Sequence, residues 1–263
     1  MIGDVVGSPG RGILMKALPR VLKKYDVDYT VANVENAAGG FGVTKEVCDE
    51  ILDAGADCLT SGNHIWDKKE ILGVIDLIPQ LLRPLNYPKP QPGRGSYVGK
   101  SRRGKVPVAT LNLSGRVFMH GAMDDPFELG LAEVEKLRQE AKVVLVDMHG
   151  EATSEKTAIA HYLDGKVTAV VGTHTHVPTC DHRVLPGGTA YCTDLGMTGP
   201  YDSVIGVEKE IVIRRFLTGM PNRFETAKGD ARFAAAVIDA DEQTGRARSI
   251  ERMLLADRDL AEL

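Results

Sequence analysis

Eight polar side chains in this sequence could bind a cation or move a proton, and they fall in five short segments: Asp4; Glu35 and Asn36; Asn63 and His64; His149; His174 and His176. Each segment follows an apolar run that reads as a strand: MI, DYTVANV, ADCLTS, KVVLVDM and KVTAVVGT. Ligands of open α/β sheets bind beyond the carboxyl ends of the strands, so the five segments converge on one edge. Any one of them alone could be turn or cap chemistry. Their repetition at the same structural position carries the inference.

The donors are carboxylates, amide oxygens and imidazoles, without thiolate. That set suits iron, manganese, zinc or cobalt rather than Cu(I) or an iron–sulfur cluster. A structural zinc site is closed, thiolate-rich and takes four ligands. Asp4, Glu35, Asn36, Asn63, His149, His174 and His176 exceed that number. They suit two catalytic ions about 3.5–4 Å apart, an arrangement that clamps displacement at phosphorus.

The elements that must position them alternate. Helical spacing marks 11–25, with Pro19 inside predicting a kink or early break, then about 43–54, 129–141, 153–163 and 206–219. Between them lie strand patterns, opening as βαβαβ, which favours a layered, largely parallel sheet. In the middle, NYPKPQPGRG reads as a surface loop, and SYVG, KVPVATLNL and RVFM as short strands that make the sheet mixed. RVLPGGTAYC predicts a hairpin around Gly187-Gly188, and residues 231–253 predict two strands around an exposed turn. The first strand is very short: only Met1, Ile2 and Gly3 precede Asp4, so either the strand is a stub or the natural start lies upstream. No repeat or linker interrupts the chain, and residues 1–263 are expected to form one domain.

Composition excludes several classes. Hydrophobic content is 43% and charged content 26%, as in ordinary soluble proteins. A net charge of −4 gives no bulk signal for a stable nucleic-acid complex or an anionic membrane. No leader pattern and no membrane-spanning apolar stretch is visible. Cys48, Cys58, Cys180 and Cys192 form no CxxC pair, so a reducing cytoplasm is expected, with Cys58 and Cys192 as core filler.

The ordered motifs GNH (62–64), HG (149–150) and GTHTH (172–176) resemble those of the calcineurin-like metallophosphoesterases. Two departures are specific. GDVVG puts Val6 where the superfamily's DxH histidine stands, and VENAAGG puts Glu35 where the bridging aspartate stands. Both are similar to the YmdB-type branch of bacterial cyclic-nucleotide phosphodiesterases, and the likeness covers nearly the whole chain. It implies a four-layer α-β-β-α sandwich with mixed sheets. It implies two divalent or trivalent ions, iron first, with manganese or zinc as alternatives. Asp4, Asn36 and His176 would hold the first ion, Asn63, His149 and His174 the second, with Glu35 bridging. It also implies hydrolysis of a small phosphodiester, a 2′,3′-cyclic nucleotide, by in-line attack of a metal-bridging hydroxide. His64 would serve as general acid rather than ligand. Relatives also imply a homo-oligomer.

Alternatives at this stage are a phosphomonoesterase or nucleotidase with the same ions, and a non-catalytic metal-binding regulatory protein. Asp67 is expected to cap a following helix, and Gly62 to make the turn that aims Asn63 and His64 inward. Thr193, Asp194, Thr198 and Ser203 are candidates for supporting contacts. His120, His161 and His182 match no metal position, and Trp66 is expected to pack.

Overall fold

Two sheets lie face to face in the computed structural model, which describes residues 1–263. The first sheet contains β1 (Asp4–Val5), β10 (Met197–Pro200), β11 (Ala231–Ala240) and β12 (Ala247–Ala256), in that order. It continues into the parallel pair β2 (Val31–Asn33) and β3 (Cys58–Thr60) through Ile2, which bridges Ala32 on one side and Ala235 on the other. The second sheet has the order β4-β5-β6-β7-β9-β8. Its strands are β4 (Ser96–Lys100), β5 (Pro107–Ser114), β6 (Val143–His149), β7 (Ala169–Thr173), β8 (Arg183–Val184) and β9 (Ala190–Cys192). Strands β5, β6, β7 and β9 run parallel, and β4 and β8 are antiparallel edges.

Helices α1 (Gly7–Lys24) and α2 (Lys45–Asp53) pack on the outer face of the first sheet, through Ile13, Leu14, Leu18 and Ile51. Helices α3 (Pro126–Glu140) and α4 (Thr153–Tyr162) cover the second, through Val134, Leu137 and Ile159. Between the sheets Val31, Cys58, Leu145, Val171, Cys192 and Ala236 form a third apolar layer. The result is the four-layer α-β-β-α sandwich with mixed sheets that the resemblance implied. Helix α5 (Lys209–Thr218) buries only Val212. No helix among the described residues is long and apolar enough to cross a membrane.

Local chemistry sets the helix starts. Thr44 Oγ1 accepts from Val47 N at 3.3 Å, and Asp125 accepts from Phe127 N and Glu128 N with Pro126 opening α3. The observed elements depart from the sequence expectations in four places. Helix α1 starts at Gly7 and runs through Pro19 unbroken. Pro19 lies on the exposed face, where the carbonyl of Met15 that loses its intrahelical partner can meet water. RVFM (116–119) is not a strand, because Arg116 N and Val117 N both donate to the buried Glu155 carboxylate. In place of the helix that Asp67 was expected to cap, residues 69–77 form two short 3-10 turns. Finally, Met197–Pro200, for which no element was predicted, is a buried strand.

The extent of the first strand matches its stub of sequence: β1 pairs with β10 over only Asp4↔Met197 and Val5↔Thr198. Its short length is offset by position, since Ile2 N donates to Val31 O and Gly3 N to Ala234 O. Asp4 is thereby fixed from both flanking strands.

Candidate metal centre

The strand ends bring Asp4, Glu35, Asn36, Asn63, His149, His174 and His176 into one cluster. Asp4, Glu35, Asn36 and His149 are all at most 2% exposed. Glu35 Oε1 sits at the middle, 3.2 Å from His149 Nε2 and 3.2 Å from Asn36 Nδ2. On one side of it, His176 Nε2 lies 3.1 Å from Asn36 Nδ2 and 3.9 Å from Asp4 Oδ1. On the other, His149 Nε2 lies 3.0 Å from Asn63 Oδ1 and 3.1 Å from His174 Nδ1. The cluster thus has two halves sharing one carboxylate.

These residues fit a bound cation. Asp4 Oδ1 is buried and takes no hydrogen bond, a costly state for an oxygen without a positive partner. Around His149 Nε2, three acceptor-type atoms converge on a nitrogen that can offer one proton. The Asn36 amide turns Nδ2 toward Glu35 and His176. Exchanging its two terminal atoms would aim the oxygen at the same point, as a cation there would require.

Each of the three histidines has one ring nitrogen tied back to the protein and the other turned to the cluster. His149 Nδ1 meets Thr173 Oγ1 at 3.0 Å, His176 Nδ1 meets Ile205 O at 2.8 Å, and His174 Nε2 meets Glu151 Oε2 at 3.2 Å. Such partners fix the tautomer of a metal-ligating imidazole. Residues His174 and His176 both have positive φ, 102° and 64°. That turn resolves the problem that alternate residues of an extended segment point to opposite sides.

His64 stands beside the cluster. Its N–H donates to Glu35 Oε2 at 3.0 Å, and its Nδ1 lies 2.8 Å from Asp67 Oδ2. Its ring packs edge-on against Phe41, with centroids 5.0 Å apart. Asp67 therefore does not cap a helix. The backbone folds back over 62–67, with Ile65 N donating to Gly62 O and Asp67 N to His64 O, and the carboxylate lands on the imidazole. The role expected of Gly62 also changes. A Cβ there would sit 2.1 Å from His149 Nε2, so glycine makes room for that ring.

Sequence reading missed four supporting groups. Asp147 is buried and receives Thr173 Oγ1, Thr60 Oγ1 and Asn33 Nδ2. Its signal was a carboxylate two residues before His149, on the same face of an otherwise apolar strand. Lys156 is fully buried, donating to Thr173 O and to Asp194 Oδ2, each at 2.7 Å. Glu151 and Thr173 hold imidazoles, as above. Among the candidate supports, Asp194 also accepts from Thr175 N and Gly196 N. Thr193 and Thr198 bind Asp181 and Ala234 O, and Ser203 binds Pro200 O, away from the ligand atoms. His120, His161 and His182 are exposed and outside the cluster, and Trp66 donates to Gln91 Oε1 while packing against the first-sheet core.

Without metal, charge is balanced internally. Burial works against ionising both Glu35 and His149, but their mutual attraction outweighs it, holding the carboxyl down at about 2 and raising the imidazole to about 9. Burial raises Asp4 to about 6, and burial together with the His149 charge lowers His174 to about 3. At pH 7 His149 carries a proton that must leave before Nε2 can bind a metal. Metal uptake at pH 7 is therefore expected to release about one proton from this residue. Affinity should rise with pH toward about 9 and level off above it. Titration calorimetry in two buffers of different ionisation enthalpy measures the release, and identical heats in both would contradict it.

The model of the YmdB-like protein family matches residues 1–253. The chain belongs to the YmdB-like family. It is 47% identical, over 97% of its length and 96% of the relative's, to a 2′,3′-cyclic-nucleotide 2′-phosphodiesterase of Bacillus subtilis (strain 168). A crystal structure described as a novel phosphatase of Mycoplasma pneumoniae superposes with a TM-score of 0.90 at 34% identity, over 99% of this chain and 94% of that one. A 5′-nucleotidase from Candida albicans SC5314 gives a TM-score of 0.58 at 11% identity, over 97% of this chain and 48% of that one, and shares the fold. Membership of the YmdB-like family implies divalent metal ions, and the cluster around Glu35 offers a place for them. Glu35, His149 and His174 present ligand atoms within 4.8 Å of one another.

Proposed function

We propose that this chain hydrolyses phosphodiesters, with 2′,3′-cyclic nucleotides as its substrate, at a centre of two metal ions. The observation that carries the reading is the two-sided cluster around Glu35 Oε1, with a buried Asp4 oxygen that accepts no hydrogen bond. Asp4, Asn36 and His176 would hold one ion, and Asn63, His149 and His174 the other, with Glu35 available to both. When bound, the ions supply positive charge to the phosphate oxygens and an activated water.

The chain's own residues do the rest. Asp67 occupies Nδ1 of His64, so Nε2 is the atom that gives a proton to the departing oxygen. Glu35 Oε2 accepts from the backbone of His64, tying the acid to the carboxylate shared by both halves. In a cyclic substrate the bond from phosphorus to the 2′ oxygen breaks, water supplies the new oxygen, and a 3′-monoester remains. The resemblance to the YmdB-type branch favours iron, while ligand type alone leaves manganese or zinc open. The four cysteines are all free thiols, which suits a reducing cytoplasm.

Elemental analysis of the purified protein, run beside a panel of 2′,3′- and 3′,5′-cyclic nucleotides, tests the reading. Two equivalents of metal and a preference for the 2′,3′ ring are expected. The description of the Mycoplasma relative as a phosphatase favours a second reading, hydrolysis of monoesters. A strong preference for mono- over bis-aryl phosphates would establish that reading and reject the diesterase.

A further inference from the structure

The ligand set of the cluster hangs from both sheets. Glu35, Asn36 and Asn63 follow β2 and β3 of the first, whereas His149 and His174 end or follow β6 and β7 of the second. Directly beneath them, one buried carboxylate spans the gap. Asp147 Oδ2 takes Thr60 Oγ1 at 2.5 Å and Asn33 Nδ2 at 3.0 Å from the first sheet, and Asp147 Oδ1 takes Thr173 Oγ1 at 2.6 Å from its own. Thr173 Oγ1 spends its single hydrogen on Asp147, so toward His149 Nδ1, 3.0 Å away, it can only accept. Nδ1 must then be the N–H, so in the neutral ring that can bind a metal it is Nε2 that carries the lone pair, on the side facing Asn63, Glu35 and His174.

We propose that Thr173 is a positioning residue for His149. Its hydroxyl, locked by Asp147, fixes both the ring's orientation and the Nδ1–H tautomer that lets Nε2 bind metal. The interposed hydroxyl has a physical reason. Through Thr173 one carboxylate both orients the imidazole and ties the sheets together. Imidazole ligands commonly rely on such outer partners, whose loss weakens metal binding about 10- to 100-fold.

The inference rests on the two-ion reading, and the test separates the two. The full-length protein is stripped with chelator, and Mn²⁺ binding is titrated for wild type, Thr173→Val, Thr173→Ser and Thr60→Val. Thr60→Val removes another hydrogen bond to Asp147 without touching His149, so it controls for lost stability. Expected are two sites in wild type, one of them 10- to 100-fold weaker in Thr173→Val, rescue to within about threefold by Thr173→Ser, and near wild-type affinity in Thr60→Val. Equal affinities for Thr173→Val and Thr60→Val would overturn the positioning role, as would failure of Thr173→Ser to rescue. If Thr173→Val does not fold, the Thr173→Ser and Thr60→Val arms still decide: weakened binding in both, tracking their melting temperatures, overturns the role. Wild-type protein that binds no Mn²⁺, Fe²⁺ or Zn²⁺ removes the two-ion reading itself, and this inference with it.

Discussion

His64→Ala lowers kcat on a 2′,3′-cyclic nucleotide about a hundredfold or more and leaves metal content at the wild-type level. The expectation follows from position. His64 touches the cluster through its backbone N–H to Glu35, which alanine retains, while its ring is held aside by Asp67 and Phe41. Removing the ring takes away a proton donor and no ligand. The deficit should depend on the leaving group. An alkoxide such as the ribose 2′ oxygen needs a proton as the bond breaks, whereas a nitrophenolate departs well without one. The loss should therefore shrink to about tenfold or less on bis(p-nitrophenyl) phosphate. Asp67→Asn should fall between wild type and His64→Ala on the cyclic substrate, because the ring remains but loses the carboxylate that orients it through Nδ1. Parallel elemental analysis and kinetics decide. Loss of metal in His64→Ala would make His64 a ligand, and equal losses on both substrates would remove it from proton transfer.

Much of this site could be read from sequence because strand ends are punctuated. Runs such as VVLVDM and VTAVVGT announce buried parallel strands, and the residue after each must face the sheet edge. The four-layer arrangement followed from alternating patterns together with the resemblance of GNH and GTHTH. What sequence could not show depends on the backbone doubling back or on distant partners. Asp67 three residues past His64 has the spacing of a cap, yet the helix it would cap does not form. The next 3-10 turn starts at Lys69 behind Lys68, and the carboxylate turns to the ring instead. RVFM has strand composition, but Phe118 takes φ of 62° and the preceding amides serve Glu155 from another helix. Gly62 lacks a side chain because of the His149 ring, which lies 87 residues on. Lys156, inside TSEKTAIAHY, looks like any solvent-facing helix lysine. Only Asp194, contributed from beyond β9, accounts for its burial.

That lysine leads to the largest expected loss of stability. Lys156 Nζ and Asp194 Oδ2 are 2.7 Å apart, with side chains 0% and 1% exposed. Breaking a buried pair by removing one partner leaves an uncompensated charge and costs about 3–5 kcal/mol, whereas the intact pair contributes far less net stability. Lys156→Met keeps the length and volume of the chain but leaves the Asp194 carboxylate buried with two backbone amides, Thr175 N and Gly196 N, as its remaining donors. The damage should reach the cluster. The loop carrying His174 and His176 holds both residues in the left-handed region, a conformation that costs about 1–3 kcal/mol per residue and persists only when its surroundings impose it. Lys156 grips the loop at Thr173 O, Asp194 grips it at Thr175 N, and Ile205 O holds the His176 ring. With the first grip gone, denaturant unfolding of the metal-free variant should show a loss of about 3–5 kcal/mol. Metal affinity should fall with it, because the loop then spends part of its time in relaxed backbone states. Adding Asp194→Asn to Lys156→Met should restore part of the stability, since the stranded charge is gone while the amide oxygen can still accept from Thr175 N. It should not restore metal affinity, because the hold on Thr173 O is still missing. A single-variant loss below about 1 kcal/mol, the range of an exposed ion pair, would show that the pair is not the clamp on this loop.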